Sequence, residues 1–266
     1  MTMKRHGWLP LAALTVVVAL ASCMGGAAAK KKQQSNNAEV SRINTQLGMD
    51  YLRKGDFELA REKLIKAVDH DSGNAEAHGA LGLLYANTGE LAKARKHYQK
   101  SLDVRPDDPN VLNNYGVMLC GQGEYEKADL QFRRAAQNTR YSTPEVALAN
   151  AGICARKLPD DAKAEAYLRE AIKLNPNFAD ALGSMALLYA DQSRYLNARA
   201  FLQRYESLQA PMTREMLLLG LRIELALGNR ETAQRYAQAL RAEHSENLND
   251  APGEDEERAA GEIRPR

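Results

Sequence analysis

The chain has little of what an enzyme or a nucleic-acid binder needs. It has no glycine-rich phosphate loop and no paired-histidine metal motif, and its five histidines (His6, His70, His78, His97, His244) lack ligand spacing. His70 and His78 lie eight residues apart across an expected turn and read as solvated side chains. Carboxylates are plentiful, but Asp107-Asp108 and Asp160-Asp161 sit where helices begin, as caps, and form no catalytic pair. A net charge of +2, with basic residues scattered and not interleaved with aromatics, leaves no nucleic-acid footprint. Catalytic residues, metal and cofactor are therefore all expected to be absent. Cysteine occurs three times and tryptophan once, at Trp8.

Long apolar runs are also missing, with one short exception. From Trp8 to Ala21 the chain is apolar, after Lys4, Arg5 and His6, and too short to stay in a bilayer as a permanent span. It reads as a secretory signal peptide over residues 1–22. Its end, Leu20-Ala21-Ser22-Cys23, resembles a bacterial lipobox, which makes Cys23 the lipid-bearing N-terminus of the mature protein. Several acyl chains anchor far more firmly than one. The alternative is an ordinary leader with an incidental cysteine. Met24 in place of aspartate after the cysteine resembles the default signal for the outer membrane, so lipid anchoring on its periplasmic face is expected. Residues 23–40 are small, basic and polar and read as a flexible spacer. Residues 245–266, with Glu254-Asp255-Glu256-Glu257, read as a disordered charged tail.

Between these ends the chain repeats. Gly48, Gly82 and Gly116 are spaced by 34 residues. Each is followed three residues later by a large residue (Tyr51, Tyr85, Leu119), seven later by glycine (Gly55, Gly89, Gly123) and twelve later by alanine (Ala60, Ala94, Ala128). The small residue lets two antiparallel helices approach, the second glycine ends the first helix, and the alanine sits at their crossing. The pattern resembles the tetratricopeptide repeat. It implies an all-α, right-handed superhelical solenoid of about six helix-turn-helix units over 41–244, divided as 41–74, 75–108, 109–142, 145–177, 178–212 and 213–244. In the last unit Gly220 and Gly228 are eight apart, so its turn gains a residue and it reads as a cap.

A curved stack of hairpins presents its first helices to a groove that can take an extended or helical segment of another protein. Thr45, Met49, Leu52, Leu83, Ala86, Val117 and Ile153 fall at inward places, although a stripe at helical spacing also suits core packing. Asn114 and Asn150 stand two residues before the packing glycines. There a carboxamide can pair with a ligand's backbone, as in tetratricopeptide proteins that bind extended peptides, or bond locally. The lysines and asparagines of a carboxylate clamp are not supplied.

Repeats three and four carry a narrower resemblance. Asn113-Asn114-Tyr115-Gly116-Val117-Met118-Leu119-Cys120, Gly123-Glu124-Tyr125, the linker Tyr141-Ser142-Thr143-Pro144-Glu145 and Asn150-Ala151-Gly152-Ile153-Cys154 are similar to the PilF/PilW family of type IV pilus lipoproteins. The resemblance implies a pilotin: an outer-membrane lipoprotein that binds the pilus secretin and promotes its localisation and multimerisation. It implies no enzyme, a protein partner, and a monomer tied to the membrane by lipid alone. The competing reading is a general envelope adaptor that recruits peptidoglycan hydrolases. With Cys23 assigned to lipid, Cys120 and Cys154 remain in an exported chain, where thiols are oxidised. Neighbouring first helices bring them within disulfide reach; the alternative is two small buried hydrophobes.

Overall fold

The computed structural model describes the backbone of residues 12–158, 160–209 and 211–246 and the side chains of 32–158, 160–209 and 211–242. The side chains of the leader and of Cys23, the turn residue Pro159 and the tail from residue 247 lie outside the described residues. The described chain is helical, with no strand: α1 (Ala12–Lys54), α2 (Phe57–His70), α3 (Ala75–Asn87), α4 (Leu91–Val104), α5 (Pro109–Gly121), α6 (Tyr125–Ala136), α7 (Pro144–Ala155), α8 (Asp161–Leu174), α9 (Ala179–Asp191), α10 (Tyr195–Ser207), α11 (Arg214–Ala226) and α12 (Arg230–Glu246). Successive helices pack as six antiparallel hairpins, the all-α repeat architecture that the 34-residue period calls for. No helix among the described residues is long and apolar enough to cross a membrane.

Five of the six hairpins close on one tight glycine contact across sixteen residues, and the fifth has Ala186 in place of the glycine. A Cβ built on Gly82 would lie 2.5 Å from the Tyr98 ring, and one on Gly116 2.7 Å from Phe132. Gly48 faces Leu64, Gly152 faces Leu168 and Gly220 faces Tyr236 in the same way. Leu64, Tyr98, Phe132 and Leu168 are at most 1% exposed, so each contributes roughly 1.5–3 kcal/mol of hydrophobic stabilisation. Four residues before each of these stands alanine (Ala60, Ala94, Ala128, Ala164), fully buried, where a larger side chain would push the helices apart. Five of the first helices are followed by a left-handed residue: Gly89 has φ 78°, and Ser193 keeps φ 58° at the equivalent turn of the fifth hairpin without glycine's freedom. In the sixth hairpin α12 buries Ala233, Ala237 and Leu240, one residue late against the earlier pattern, in step with the displaced Gly228.

Residues 1–106 and 107–266 form two compact units. In the first, α1 to α4 make two hairpins. The helix α1 runs through residues 25–37, where the composition reads as a flexible spacer; alanine, lysine and glutamine there are good helix formers, and glycine is confined to Gly25 and Gly26. In the second unit α5 to α12 make four hairpins around a core that includes Leu148, Leu168, Leu182, Met185, Tyr189, Leu202 and Leu219. Prolines open two of its helices, Pro109 in α5 and Pro144 in α7, where the missing N–H has no intrahelical partner to lose.

Candidate partner-binding site

In residues 1–106 the expected groove residues divide. Met49 and Leu52 on α1 and Leu83 and Ala86 on α3 are half-buried, at equivalent places 34 residues apart. They leave an apolar strip partly open. Thr45 does not belong to it. It is 2% exposed, its hydroxyl donates to the Ser41 carbonyl at 2.8 Å, and it accepts from the Asn74 amide at 3.1 Å. Thr45 is therefore a joint between α1 and the α2–α3 turn, because a short hydroxyl side chain inside a helix bonds back to its own backbone. Asn74 also donates to Ser41 Oγ at 2.8 Å while its Oδ1 caps α3 through the Ala77 N–H.

A second apolar surface on α1 was not expected. Counted from the close-packing glycine, Ile43 and Leu47 occupy places that later first helices bury: Ala77, Val111, Ala147 and Ala181 at the first, and Leu81, Tyr115, Ala151, Met185 and Leu219 at the second. None of those nine is more than 8% exposed, whereas Ile43 is 43% and Leu47 41% exposed. The places carry apolar residues because the repeat demands them, but among the described residues no hairpin covers this face of α1. Only the count of repeats in front of α1, and not its own pattern, distinguishes these two residues from core.

In residues 107–266 Val117 of α5 is 48% exposed, while Asn114, Asn150 and Ile153 are half-buried. The asparagines are not an open ladder. Asn150 Nδ2 donates to Asn113 Oδ1 at 2.9 Å, and Asn113 Nδ2 reaches Asn114 Oδ1 at 3.5 Å. Asn113, which the spacing argument passed over, is the buried centre of this chain of amides, and the chain fixes how Asn114 and Asn150 are turned. The signal for it was the doublet Asn113-Asn114 itself. Cys120 of α5 and Cys154 of α7 are bonded, with Cα atoms 5.9 Å apart.

Further along, Asp191 of α9 takes Arg156 of α7 at 2.8 Å and Arg222 of α11 at 3.0 Å, and Arg222 also donates to the Ala190 carbonyl. Burial pushes the Asp191 carboxyl up, but the two guanidinium hydrogen bonds outweigh it and hold the group below its ordinary value. This string of charges ties the C-terminal ends of α7 and α9 to α11.

Histidine placement also differs from expectation. His78 is 2% exposed and faces His97 of α4, so it is a core residue and not a solvated one. Among the described residues no three His, Cys, Asp or Glu side chains converge as metal ligands.

A stack of helical hairpins with apolar and amide side chains on its first helices defines a tetratricopeptide-repeat protein, a binding scaffold. Tetratricopeptide-repeat family models match residues 45–109 and 146–211, and a second such model matches 97–129. The type IV pilus assembly protein PilF of Pseudomonas aeruginosa is 30% identical over 196 residues, 74% of this chain and 77% of that protein. The solved structure of Pseudomonas aeruginosa PilF aligns with a TM-score of 0.76 and 28% identity, covering 85% of this chain and 99% of the other. That of PilW, a widely conserved type IV pilus biogenesis factor, aligns with a TM-score of 0.74 and 30% identity, covering 83% and 98%. The chain belongs to the PilF/PilW-like family of tetratricopeptide-repeat proteins, and its role lies in type IV pilus biogenesis.

Proposed function

We propose that the protein is a non-catalytic pilotin, held at the periplasmic face of the outer membrane by lipid on Cys23, that binds subunits of the pilus secretin and promotes their localisation and multimerisation. The observation that carries this reading is the likeness to PilF and PilW across nearly the whole repeat array. The lipobox-like Leu20-Ala21-Ser22-Cys23 supports the anchor, and the surface of the first helices supports the docking. Met49, Leu52, Leu83 and Ala86 offer an apolar strip, Ile43 and Leu47 an uncovered apolar face, and Val117 with Asn114 and Asn150 an apolar contact beside oriented amides. Burying exposed apolar area against a partner is worth about 25 cal/mol per Å², so a few such residues at the centre of an interface set most of its affinity.

Deletion of the protein is expected to leave secretin as monomers and to abolish twitching motility. Cys23→Ala is expected to give a folded protein with mislocalised secretin, because the anchor and the hairpins are separate pieces of chain. Photo-crosslinking from Leu47, Leu52, Leu83 and Val117 in cells locates the docking surface. Recovery of secretin supports the pilotin, and recovery of peptidoglycan hydrolases without secretin replaces it with a general envelope adaptor.

A further inference from the structure

His78 of α3 and His97 of α4 meet through their Nδ1 atoms at 3.0 Å, and His78 Nε2 lies 3.1 Å from the Ser72 carbonyl in the α2–α3 turn. Elsewhere in the array the place of His78 is held by Asn44, Leu112, Leu148, Leu182 and Met216, and that of His97 by Lys63, Gln131, Tyr167, Phe201 and Arg235. The second hairpin thus sets two imidazoles against each other where the fifth, for example, sets leucine and phenylalanine. The hydrogen bonds fix its protons. A carbonyl only accepts, so Nε2 of His78 bears hydrogen; a neutral imidazole has a single N–H, so His78 Nδ1 accepts and His97 Nδ1 donates. One added proton, on His97 Nε2, leaves the bond intact but places a cation in a half-buried site. A second, on His78 Nδ1, sets two N–H groups against each other and breaks it.

We propose that the His78–His97 pair is an acid-sensitive latch in residues 1–106: with both rings neutral it holds α3 to α4 and to the α2–α3 turn, a first proton weakens that hold and a second releases it. Most of the charged groups around it oppose a cation, and Asp71 alone of those named favours one. Lys96 and Lys100 of α4 face the pair, and Asp71 of the turn is the acidic group near His78. The Tyr85 ring of α3 lies 5.4 Å from the His97 ring, with Arg61 of α2 and Lys93 of α4 over it. Burial, then the His78 charge and the two lysines, draws His97 down to about 4 from 6.5. Burial also lowers His78, with the Ser72 carbonyl working against it.

The open chain therefore binds protons that the closed one refuses between pH 6.5 and about 4, and the latch weakens as pH falls through that window. Two residues beyond Ser72, Asn74 is bonded to Ser41 and Thr45, so the release is transmitted to α1.

Hydrogen exchange of the full chain, corrected for intrinsic rates, tests this, with the amides of residues 107–246 as internal reference. The opening constant of α3 amides is expected to rise towards about tenfold per pH unit below 6.5 for each proton taken up. His78→Leu with His97→Phe, which copies Leu182 and Phe201, is expected to remove the rise. Persistence of the acid limb in that double variant would overturn the latch. So would imidazole proton resonances of either ring titrating near 6.5 in the folded wild-type chain, a measurement that needs no variant to fold.

Discussion

The first two hairpins of residues 1–106 are joined by a polar seam, and the first two of residues 107–266 by a covalent one. In the former, Asn74 bridges Ser41 and Thr45, and Ser72 receives the His78–His97 pair. In the latter, the same kind of joint between first helices carries the Cys120–Cys154 bond and the Asn150–Asn113 amide contact. The hairpins themselves hardly differ: Gly82 against Tyr98 and Gly116 against Phe132 are the same contact. Packing inside a hairpin is thus dictated by the repeat, while the joint between hairpins is free to vary and is where local character enters. The stability of a stack is the sum of the two terms, since each hairpin touches its neighbours alone.

The comparison predicts its largest effect at the covalent joint. Cys120→Ala with Cys154→Ala is expected to lose about 3–4 kcal/mol, the loop-closure value for a bridge spanning 34 residues, read from urea unfolding against the oxidised wild type. A loss well under 1 kcal/mol would mean that packing alone secures α5 to α7. The polar seam is weaker. Asn74→Ala removes a helix cap and two side-chain bonds, with an expected cost of about 1–2 kcal/mol. A drop as large as that from the cysteine variants would erase the distinction between the two joints. Smallest is a turn. Ser193→Gly relieves a left-handed serine and is expected to raise stability by about 1 kcal/mol, seen as a higher thermal midpoint. No gain would show that the fifth hairpin has already absorbed the strain.

Much of the fold was legible in the chain. Gly48, Gly82 and Gly116 at 34-residue intervals, with alanine twelve residues after each, state that a helix pair is repeated, because an added Cβ at these glycines would come within 3 Å of the facing side chain. The binding surface was less legible. Thr45 shares its repeat place with inward-facing residues, but a hydroxyl next to Asn74 turns into the joint instead. His78, eight residues after His70 across a turn, reads in the sequence as a solvated side chain. Its partner is His97, nineteen residues on, which is apparent only once the sixteen-residue offset between first and second helices is known. Asn113 hid behind Asn114 for the same reason: which of two adjacent amides turns inward depends on the position of α7.

From the order of residues alone came the repeating helix pair, its period, its turns and the lipobox-like start, all of which rest on short-range spacing that chain geometry enforces. The tertiary arrangement alone decided which apolar places stay uncovered, which polar groups meet and which hairpin carries a histidine pair. Those outcomes depend on what another helix brings to the same point in space. A place that is core in five hairpins is surface in the first because, among the described residues, no helix packs on it there.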